Sequence, residues 1–278
     1  MKYSFNTWAY SDFPNWVPSY PLEEVIKRLA RIGYDALEIG CAQPHAWPYF
    51  MSEQDRKNIK KCLANHNLAV SSILPAPGGG PGGNIASACK AEREWTVQYF
   101  KDCMDMGLDW DCQTLLCVCG WYIYGTKKRD AWKWAVESLQ AVADYAKKSD
   151  VTLMLEPTAT DSNLVESCED AINMMDDVGK DNVKLMFDTT HVLYRNEVPS
   201  DYVYLMGKDL KHIHMADYNR QAPGSAGCDF VAIMQALKDI GYDGYVTMEN
   251  GFASRSTHPD SIARISLENL KAIEKQLK

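Results

Sequence analysis

The chain has 278 residues, of which 46% are hydrophobic, and its 29 Lys and Arg against 37 Asp and Glu give a formal net charge of −8. Binding to nucleic acid requires clustered Lys and Arg, so this charge argues against nucleic acid as a partner, and it gives no reason to expect attraction to an anionic membrane. No long apolar run predicts a membrane span, and the polar, aromatic N-terminus does not resemble a secretory signal. The nine cysteines, an odd number placed mostly in apolar or helical stretches, favour reduced thiols in a cytoplasmic protein.

Short apolar or β-branched segments alternate with longer segments of helical periodicity throughout the chain. The predicted strands cover residues 3–8, 35–40, 68–74, 114–120, 151–156, 183–188, 211–217 and 244–249. The predicted helices that follow them in order cover residues 21–34, 52–66, 90–107, 128–148, 166–178, 200–207, 229–240 and 259–277.

This alternation indicates a parallel sheet with helical crossovers. We expect the sheet to close into a (β/α)8 (TIM) barrel, a single α/β domain that spans residues 1–278. An open doubly wound sheet is the alternative, but no glycine-rich fingerprint follows the first strand. The segments IGYDALE (32–38) and IGYDGYV (240–246) repeat one helix-to-strand turn, in which Gly33 and Gly241 are predicted helix C-caps.

One segment, PAPGGGPGGN (75–84), fits neither a helix nor a strand and follows the third predicted strand. It is not a phosphate-binding loop of the P-loop type, because no Gly-Lys-Ser/Thr follows its glycines. Two interpretations stay open for it, a flexible connector or a mobile lid over the barrel mouth.

Acidic or imidazole side chains stand at the ends of the last four predicted strands. Glu156, Asp188 and Glu249 end the fifth, sixth and eighth strands, and His214 lies near the end of the seventh. In a TIM barrel these ends face the active site. A single acid there is more often a helix N-cap or an ion-pair partner, but converging carboxylates repel one another, and a cation removes that cost. The four residues therefore predict a divalent metal site, with His212 one layer deeper in a structural or supporting role.

Three carboxylates and one imidazole, without a thiolate, suit Mn²⁺, Mg²⁺ or Co²⁺ better than a structural zinc. Such an ion can bind two vicinal sugar oxygens and polarise a carbonyl, which stabilises the enediolate left after loss of the neighbouring proton. Glu156 and Glu249 come from different strands and are the candidate base and acid pair, with their order left open.

Five short motifs occur in order along the chain: EIGCAQPHAWP (38–48), LEP (155–157), FDTTH (187–191), HIHMAD (212–217) with Arg220, and TMEN (247–250). Together they resemble the xylose-isomerase-like sugar isomerase/epimerase superfamily, in which the ketose 3-epimerases and fructoselysine 3-epimerase are the most similar. The resemblance implies metal ligation by the four strand-end residues and proton relay by Glu156 and Glu249. It also implies that His191 and Arg220 hold substrate hydroxyls.

Asp161, Trp8 and His45 complete the predicted substrate-binding set. Asp161 stands where the epimerases carry a Glu before Ser-Asn, on a segment one residue shorter. The PGxG turn of the family is here PGSAG (223–227), with Ala226 in place of the second Gly. The predicted loops also carry several aromatic residues, which suit stacking on a sugar or an aromatic aglycone. These are Trp8, Trp16, Trp47, Trp121, Tyr122 and Tyr124.

The same resemblance leaves a second function open, the catalytic α subunit of a C-glycoside deglycosidase. Such a lyase removes a proton beside the 3-keto group of an oxidised C-glucoside and expels the aglycone by elimination, together with a small β subunit. We therefore expect a small sugar or sugar conjugate as the ligand and an oligomeric protein, with a small second subunit in the lyase case. An endonuclease IV-type nuclease needs a multi-metal site with more histidines and a basic groove, whereas this chain has six histidines in total and a net negative charge. A non-catalytic sugar-binding barrel does not need both glutamates, and both are present.

Overall fold

The computed structural model describes residues 1–11, 19–76, 83–251 and 258–278. Within these residues, parallel strands form a closed barrel in chain order, and the first strand pairs with the last. The predicted (β/α)8 barrel is therefore confirmed. The strands are β1 Lys2–Asn6, β2 Ala36–Cys41, β3 Ala69–Pro75, β4 Thr114–Val118, β5 Thr152–Glu156, β6 Val183–Asp188, β7 Leu210–Met215 and β8 Tyr245–Met248.

Helices connect the successive strands, and each predicted helix has a counterpart. They are α1 Leu22–Ile32, α2 Glu53–Asn65, α3 Lys90–Asp109, α4 Lys128–Ala146, α5 Cys168–Val178, α6 Thr189–Tyr194, α7 Pro199–Met206, α8 Phe230–Asp239 and α9 Pro259–Glu274. The sequence did not predict α6, because this helix follows β6 directly and is too short to show a periodicity.

The helix ends follow from local sequence. Gly33 at φ 102° ends α1, and Gly241 at φ 69° follows α8, so both are in the left-handed conformation that the predicted C-cap role requires. Ser52 and Ser167 begin α2 and α5 with capping boxes, in which each serine and the aspartate three positions later satisfy one another's backbone N–H groups.

The end of β1 differs from the prediction, which continued the strand to residue 8. The Asn6 side chain accepts a hydrogen bond from the backbone N–H of Trp8 at 2.7 Å and begins a 3-10 turn over Thr7–Tyr10. The strand therefore ends at Asn6. The indole of Trp8 then packs over β2 at Gly40, where a Cβ atom would lie only 2.6 Å from the ring.

The barrel interior has an apolar and a polar half. On the apolar side, one cluster is separate from the main core and comprises Trp8, Ala42, Leu74, Ala76, Leu116, Met154 and Met186. On the polar side, strands β7, β8, β1 and β2 bury Ser4, Asn6, Glu38, His212, His214 and Thr247. Buried polar groups need partners, so this second half is where the fold brings titratable side chains together.

Residues 77–82 of the Gly-rich segment and the aromatic residue Trp16 lie outside the described residues. The lid interpretation and any role of Trp16 therefore stay predictions. No helix in the described parts of the chain has both the length and the apolarity needed to cross a bilayer.

Candidate active site

The four predicted ligands converge at the carboxyl ends of the last four strands. Glu156 and Asp188 are the final residues of β5 and β6, and Glu249 directly follows β8. The strand register pairs Asp188 with His214 of β7. All four side chains are buried, and the ligand atoms of Asp188, His214 and Glu249 lie within 4.8 Å of one another.

Both glutamates lie close to the same ring nitrogen of His214. Its Nδ1 atom is 3.3 Å from Oε2 of Glu249 and 3.8 Å from Oε1 of Glu156. A second group, Glu156, Asp188 and His191, also brings its ligand atoms within 4.8 Å of one another. The two groups share Asp188, so the carboxylates of three strands surround one place at the barrel mouth.

Arg220 is the cation in contact with these carboxylates. Its Nη1 atom contacts Oδ2 of Asp188 and lies 2.6 Å from Oε2 of Glu249. The same nitrogen lies 3.2 Å from the backbone oxygen of Glu249. Although burial opposes it, these two carboxylates raise the pKa of Arg220 above its usual value, so the guanidinium stays charged.

The pKa values of the two glutamates are shifted in opposite directions. Burial, together with the nearby carboxylates of Glu249 and Asp188, raises the pKa of Glu156 well above its usual value. Burial has the same effect on Glu249, but the charges of Arg220 and His214 outweigh it and lower the pKa of Glu249. The surroundings therefore favour the ionised form of Glu249 and the protonated form of Glu156.

The donor set fits a divalent cation. The Nδ1 atom of His214 is buried and has no hydrogen-bond partner among the described residues. Carboxylate oxygens of Glu156 and Glu249 lie 3.8 and 3.3 Å from it, and burial near other carboxylates holds the pKa of Glu156 well above its usual value. A cation there would supply a partner to the imidazole and cancel the repulsion among carboxylates, and these O and N donors suit Mn²⁺, Mg²⁺ or Co²⁺.

His191 and Asp161 lie beside this group. The backbone N–H of Thr160 donates to Nδ1 of His191 at 3.3 Å, so the ring proton is on Nε2. That nitrogen is 3.8 Å from Oε1 of Glu156 and 3.7 Å from Oδ2 of Asp161. Burial lowers the pKa of His191 to about 4, so the ring is neutral and presents an N–H donor to the site.

Trp8 and His45 occupy different surroundings. Trp8 is buried in the apolar half of the barrel interior, in the cluster that is separate from the main core. The Nε2 atom of His45 lies 2.9 Å from the backbone oxygen of Tyr20. His45 lines a cavity of about 230 Å³ between α1 and α2, and the lining of this cavity includes none of the four predicted ligands.

The aromatic residues of the loops also lie in different surroundings. Trp47 packs on Tyr99 of α3 with ring centroids 5.0 Å apart, so it contributes to packing at the β2–α2 connection. Trp121 and Tyr122 are half-buried in the β4–α4 loop, next to β5, while Tyr124 in the same loop is fully exposed. Of the described aromatic residues, the loop pair therefore fits the predicted lining of the mouth best.

The turn after β7 explains the departure at Ala226. Gly224 and Gly227 have φ angles of 81° and 105°, whereas Ala226 is not among the positive-φ residues. The backbone N–H of Ala226 donates to the buried carboxylate of Asp217 at 2.8 Å, as does that of Cys228 at 3.1 Å. The turn needs an N–H at position 226 rather than a glycine, so the alanine is accommodated.

Glu38 is the functional candidate that the sequence analysis missed. It is fully buried, and its carboxylate lies 2.8 Å from Nε2 of His214, 3.0 Å from Nε2 of His212 and 2.7 Å from Nδ2 of Asn6. The signal was present in the second strand, where Ala36, Glu38 and Gly40 alternate on one face and only the middle one is charged.

Comparison with known proteins agrees with the barrel fold. The sequence profile described as "Xylose isomerase-like TIM barrel" matches residues 26–273. The chain belongs to this family. Among solved structures, this xylose isomerase-like barrel is similar to D-psicose 3-epimerase with D-tagatose from Clostridium cellulolyticum H10. The two superpose with a TM-score of 0.84 at 22% sequence identity, and the match covers 98% of this chain and 99% of that chain.

Two curated relatives are similar over most of the barrel. The fructoselysine 3-epimerase of Escherichia coli O157:H7 is 25% identical over 91% of this chain and 94% of its own length. The D-psicose 3-epimerase of Ruminiclostridium cellulolyticum is 28% identical over 81% of this chain and 76% of its own length. The resemblance to the ketose 3-epimerase group within the family is thereby confirmed.

Proposed function

We propose that this chain is a divalent-metal-dependent ketose 3-epimerase. The observation that supports this most is the pair of buried glutamates, Glu156 from β5 and Glu249 from β8, which lie 3.8 and 3.3 Å from Nδ1 of His214. Two carboxylates from different strands match the need of an epimerase for one base and one acid. The names of the two curated relatives, a fructoselysine 3-epimerase and a D-psicose 3-epimerase, support the same reaction.

Glu156, Asp188, His214 and Glu249 are the residues that would hold the ion, and we propose Mn²⁺, Mg²⁺ or Co²⁺ for it because three of the four donors are carboxylates. When bound, such an ion supplies Lewis acidity to adjacent oxygens of the sugar.

The two glutamates move the proton. One carboxylate takes the proton from C3 of the ketose, and the electron pair of the C–H bond shifts toward the neighbouring carbonyl to give an enediolate. The other glutamate, as a carboxylic acid on the opposite face, returns a proton to C3 and the carbonyl re-forms. The configuration at C3 is inverted, and the reverse reaction exchanges the roles of the glutamates.

His191, Arg220 and Asp161 orient the sugar in this proposal. The neutral ring of His191 presents Nε2–H toward the site, where it can donate to a hydroxyl oxygen. The carboxylate of Asp161, more than half exposed, lies 3.7 Å from that nitrogen and can accept from a hydroxyl. Trp8 would add an apolar wall, and His45 stays a predicted contact in a separate cavity.

The lyase alternative shares the first proton abstraction but expels an aglycone. Both curated relatives described above carry epimerase names, which favours the epimerase over the C-glycoside deglycosidase. For the epimerase we therefore expect an oligomer of this chain without a small second subunit.

Incubation of the metal-loaded protein with ketoses in D₂O tests the proposal. We expect deuterium at C3 together with the C3 epimer, and loss of both when a chelator removes the ion. A parallel incubation with a 3-oxo-C-glucoside should release no aglycone. Aglycone release, or the absence of C3 exchange with D-psicose, D-fructose and fructoselysine, would contradict the epimerase.

A further inference from the structure

A glutamate that none of the proposed steps uses lies inside the barrel. Glu38, on the interior face of β2, is completely buried, as is His214 on β7 on the other side of the polar half. The Oε1 atom of Glu38 lies 2.8 Å from Nε2 of His214. A carboxylate with no access to water has to be compensated, so its partners reveal what it does.

We propose that Glu38 is a positioning residue that acts through His214 and sets the affinity of the site for its divalent ion. This inference rests on the proposed function, because it takes Nδ1 of His214 as the ligand atom. Glu38 itself does not touch the substrate or the ion in this account.

The geometry of the imidazole carries the inference. Oε1 of Glu38 is close to one ring nitrogen of His214, and the other, Nδ1, faces Glu156 and Glu249 at 3.8 and 3.3 Å. A carboxylate at Nε2 keeps a proton on that nitrogen and so keeps the lone pair of Nδ1 available to a cation. It also fixes the ring plane. Partners of this kind typically contribute about 10–100-fold in metal affinity.

Asn6 couples the same carboxylate to a second ligand. Its Nδ2 atom donates to Oε1 of Glu38 at 2.7 Å and to Oε1 of Glu249 at 3.2 Å. Its Oδ1 atom accepts from the backbone N–H of Trp8, so the amide cannot rotate freely. Glu38 on β2 and Asn6 at the end of β1 together therefore fix two of the four proposed ligands.

The contact of Glu38 with His212 raises the alternative that Glu38 has a purely structural role. Its Nε2 atom lies 3.0 Å from Oε2 of Glu38, one layer below His214, and it is not among the proposed ligands. If Glu38 only balanced two buried imidazoles, its replacement would lower the stability of the barrel and leave Mn²⁺ affinity of the folded fraction unchanged. A positioning role requires the affinity itself to fall.

The test compares Mn²⁺ binding, measured without substrate by competition with a chromophoric chelator, in the full-length protein and in Glu38→Gln. The variant keeps the size of the side chain but carries no charge, and we expect Mn²⁺ affinity to fall about 10–100-fold. Ser4→Ala is the matched control, because Ser4 is as completely buried in the barrel as Glu38. Among the described residues, the Ser4 hydroxyl bonds only the Ser71 hydroxyl, at 2.6 Å. The affinity of this control should equal that of the wild type.

A second variant keeps the inference falsifiable if Glu38→Gln does not fold. Asn6→Ser removes the amide that joins Glu38 to Glu249, and we expect a smaller loss of affinity in the same direction. Wild-type affinity in a folded Glu38→Gln, or in Asn6→Ser where Glu38→Gln is unfolded, would overturn the inference alone. A wild-type protein that binds no divalent ion would instead contradict the metal site of the proposed function, and with it this inference.

Discussion

At the scale of single residues, the surroundings of Glu156 and Glu249 differ in charge rather than in burial. Arg220 and His214 lie 2.6 and 3.3 Å from Oε2 of Glu249, whereas His214 is 3.8 Å from Glu156, whose pKa is raised by burial and by the nearby carboxylates. Two chemically identical groups are thereby given different affinities for a proton, which is the arrangement that an acid and base pair needs.

Replacement of either glutamate by glutamine should abolish most turnover and preserve the fold. Glu156→Gln and Glu249→Gln keep the shape of the side chain but remove the proton-transfer group, so we expect kcat to fall by about 10²–10⁴. Initial rates of C3 epimerisation measure this, with far-UV circular dichroism as the check on folding. Glu137→Gln, which removes only an exposed pairing with Lys133 at 3.8 Å, is the control. A near wild-type rate in either active-site variant would exclude that glutamate as acid or base.

The convergence of the four proposed ligands could be predicted from the sequence because strand-end positions follow from periodicity alone. Glu156, Asp188, His214 and Glu249 need only the assumption that parallel strands end on one face of a barrel. Glu38 was not found because it sits in the middle of an apolar strand, and its partners are 174 and 176 positions away in the chain, at His212 and His214. Only the closure of the barrel brings β2 and β7 together.

At the scale of elements, the loop after β4 is held from both sides by amide side chains. Asn84, before α3, bonds both the backbone oxygen and the backbone N–H of Trp121. Asn163, in the loop after β5, does the same to Tyr122. Four hydrogen bonds to the backbone therefore hold Trp121 and Tyr122 in place, in addition to the packing of Tyr122 against the core.

Gly120 lets this loop pass close to Asn84. Its φ is 81°, and an added Cβ would lie 2.5 Å from Oδ1 of Asn84 and 2.8 Å from Cβ of Ala86. We expect Gly120→Ala to lower the free energy of unfolding by about 1–3 kcal/mol more than Gly125→Ala does. Gly125 shares a positive φ, of 89°, but a Cβ there meets nothing within 4 Å.

Urea unfolding of the two alanine variants measures the difference. Equal stabilities would show that the backbone conformation, and not the close approach to Asn84, determines the need for glycine at position 120. A loop displaced by the alanine should also raise KM for the ketose, since Trp121 and Tyr122 would lose their fixed positions.

Helices and strands were predicted correctly where a periodic apolar pattern extended over many residues. The prediction was wrong where a side chain formed a hydrogen bond with the backbone and ended the strand. Helices α1 and α9 were predicted from their apolar spacing, and Gly33 from a repeated turn. The strand predicted over residues 3–8 was too long, because the Asn6 side chain competes for the N–H of Trp8.

At the scale of the whole molecule, the two halves of the barrel interior differ in polarity. Strands β3 to β6 fill the interior with apolar side chains and Trp8, and strands β7, β8, β1 and β2 fill it with a continuous polar network from His212 to Glu249. The proposed ligands lie where the two halves meet at the mouth. The network supports them from one side, and the apolar half limits the access of water from the other.

The proposed function requires one ion held by the last four strands, and anomalous diffraction from crystals of the protein loaded with Mn²⁺ tests this directly. We expect one anomalous peak within about 2.0–2.6 Å of ligand atoms of Glu156, Asp188, His214 and Glu249. We also expect the Arg220 guanidinium to have moved away from Asp188. A peak on Glu38 and His212 instead, or no peak with Arg220 still bridging Asp188 and Glu249, would contradict the account.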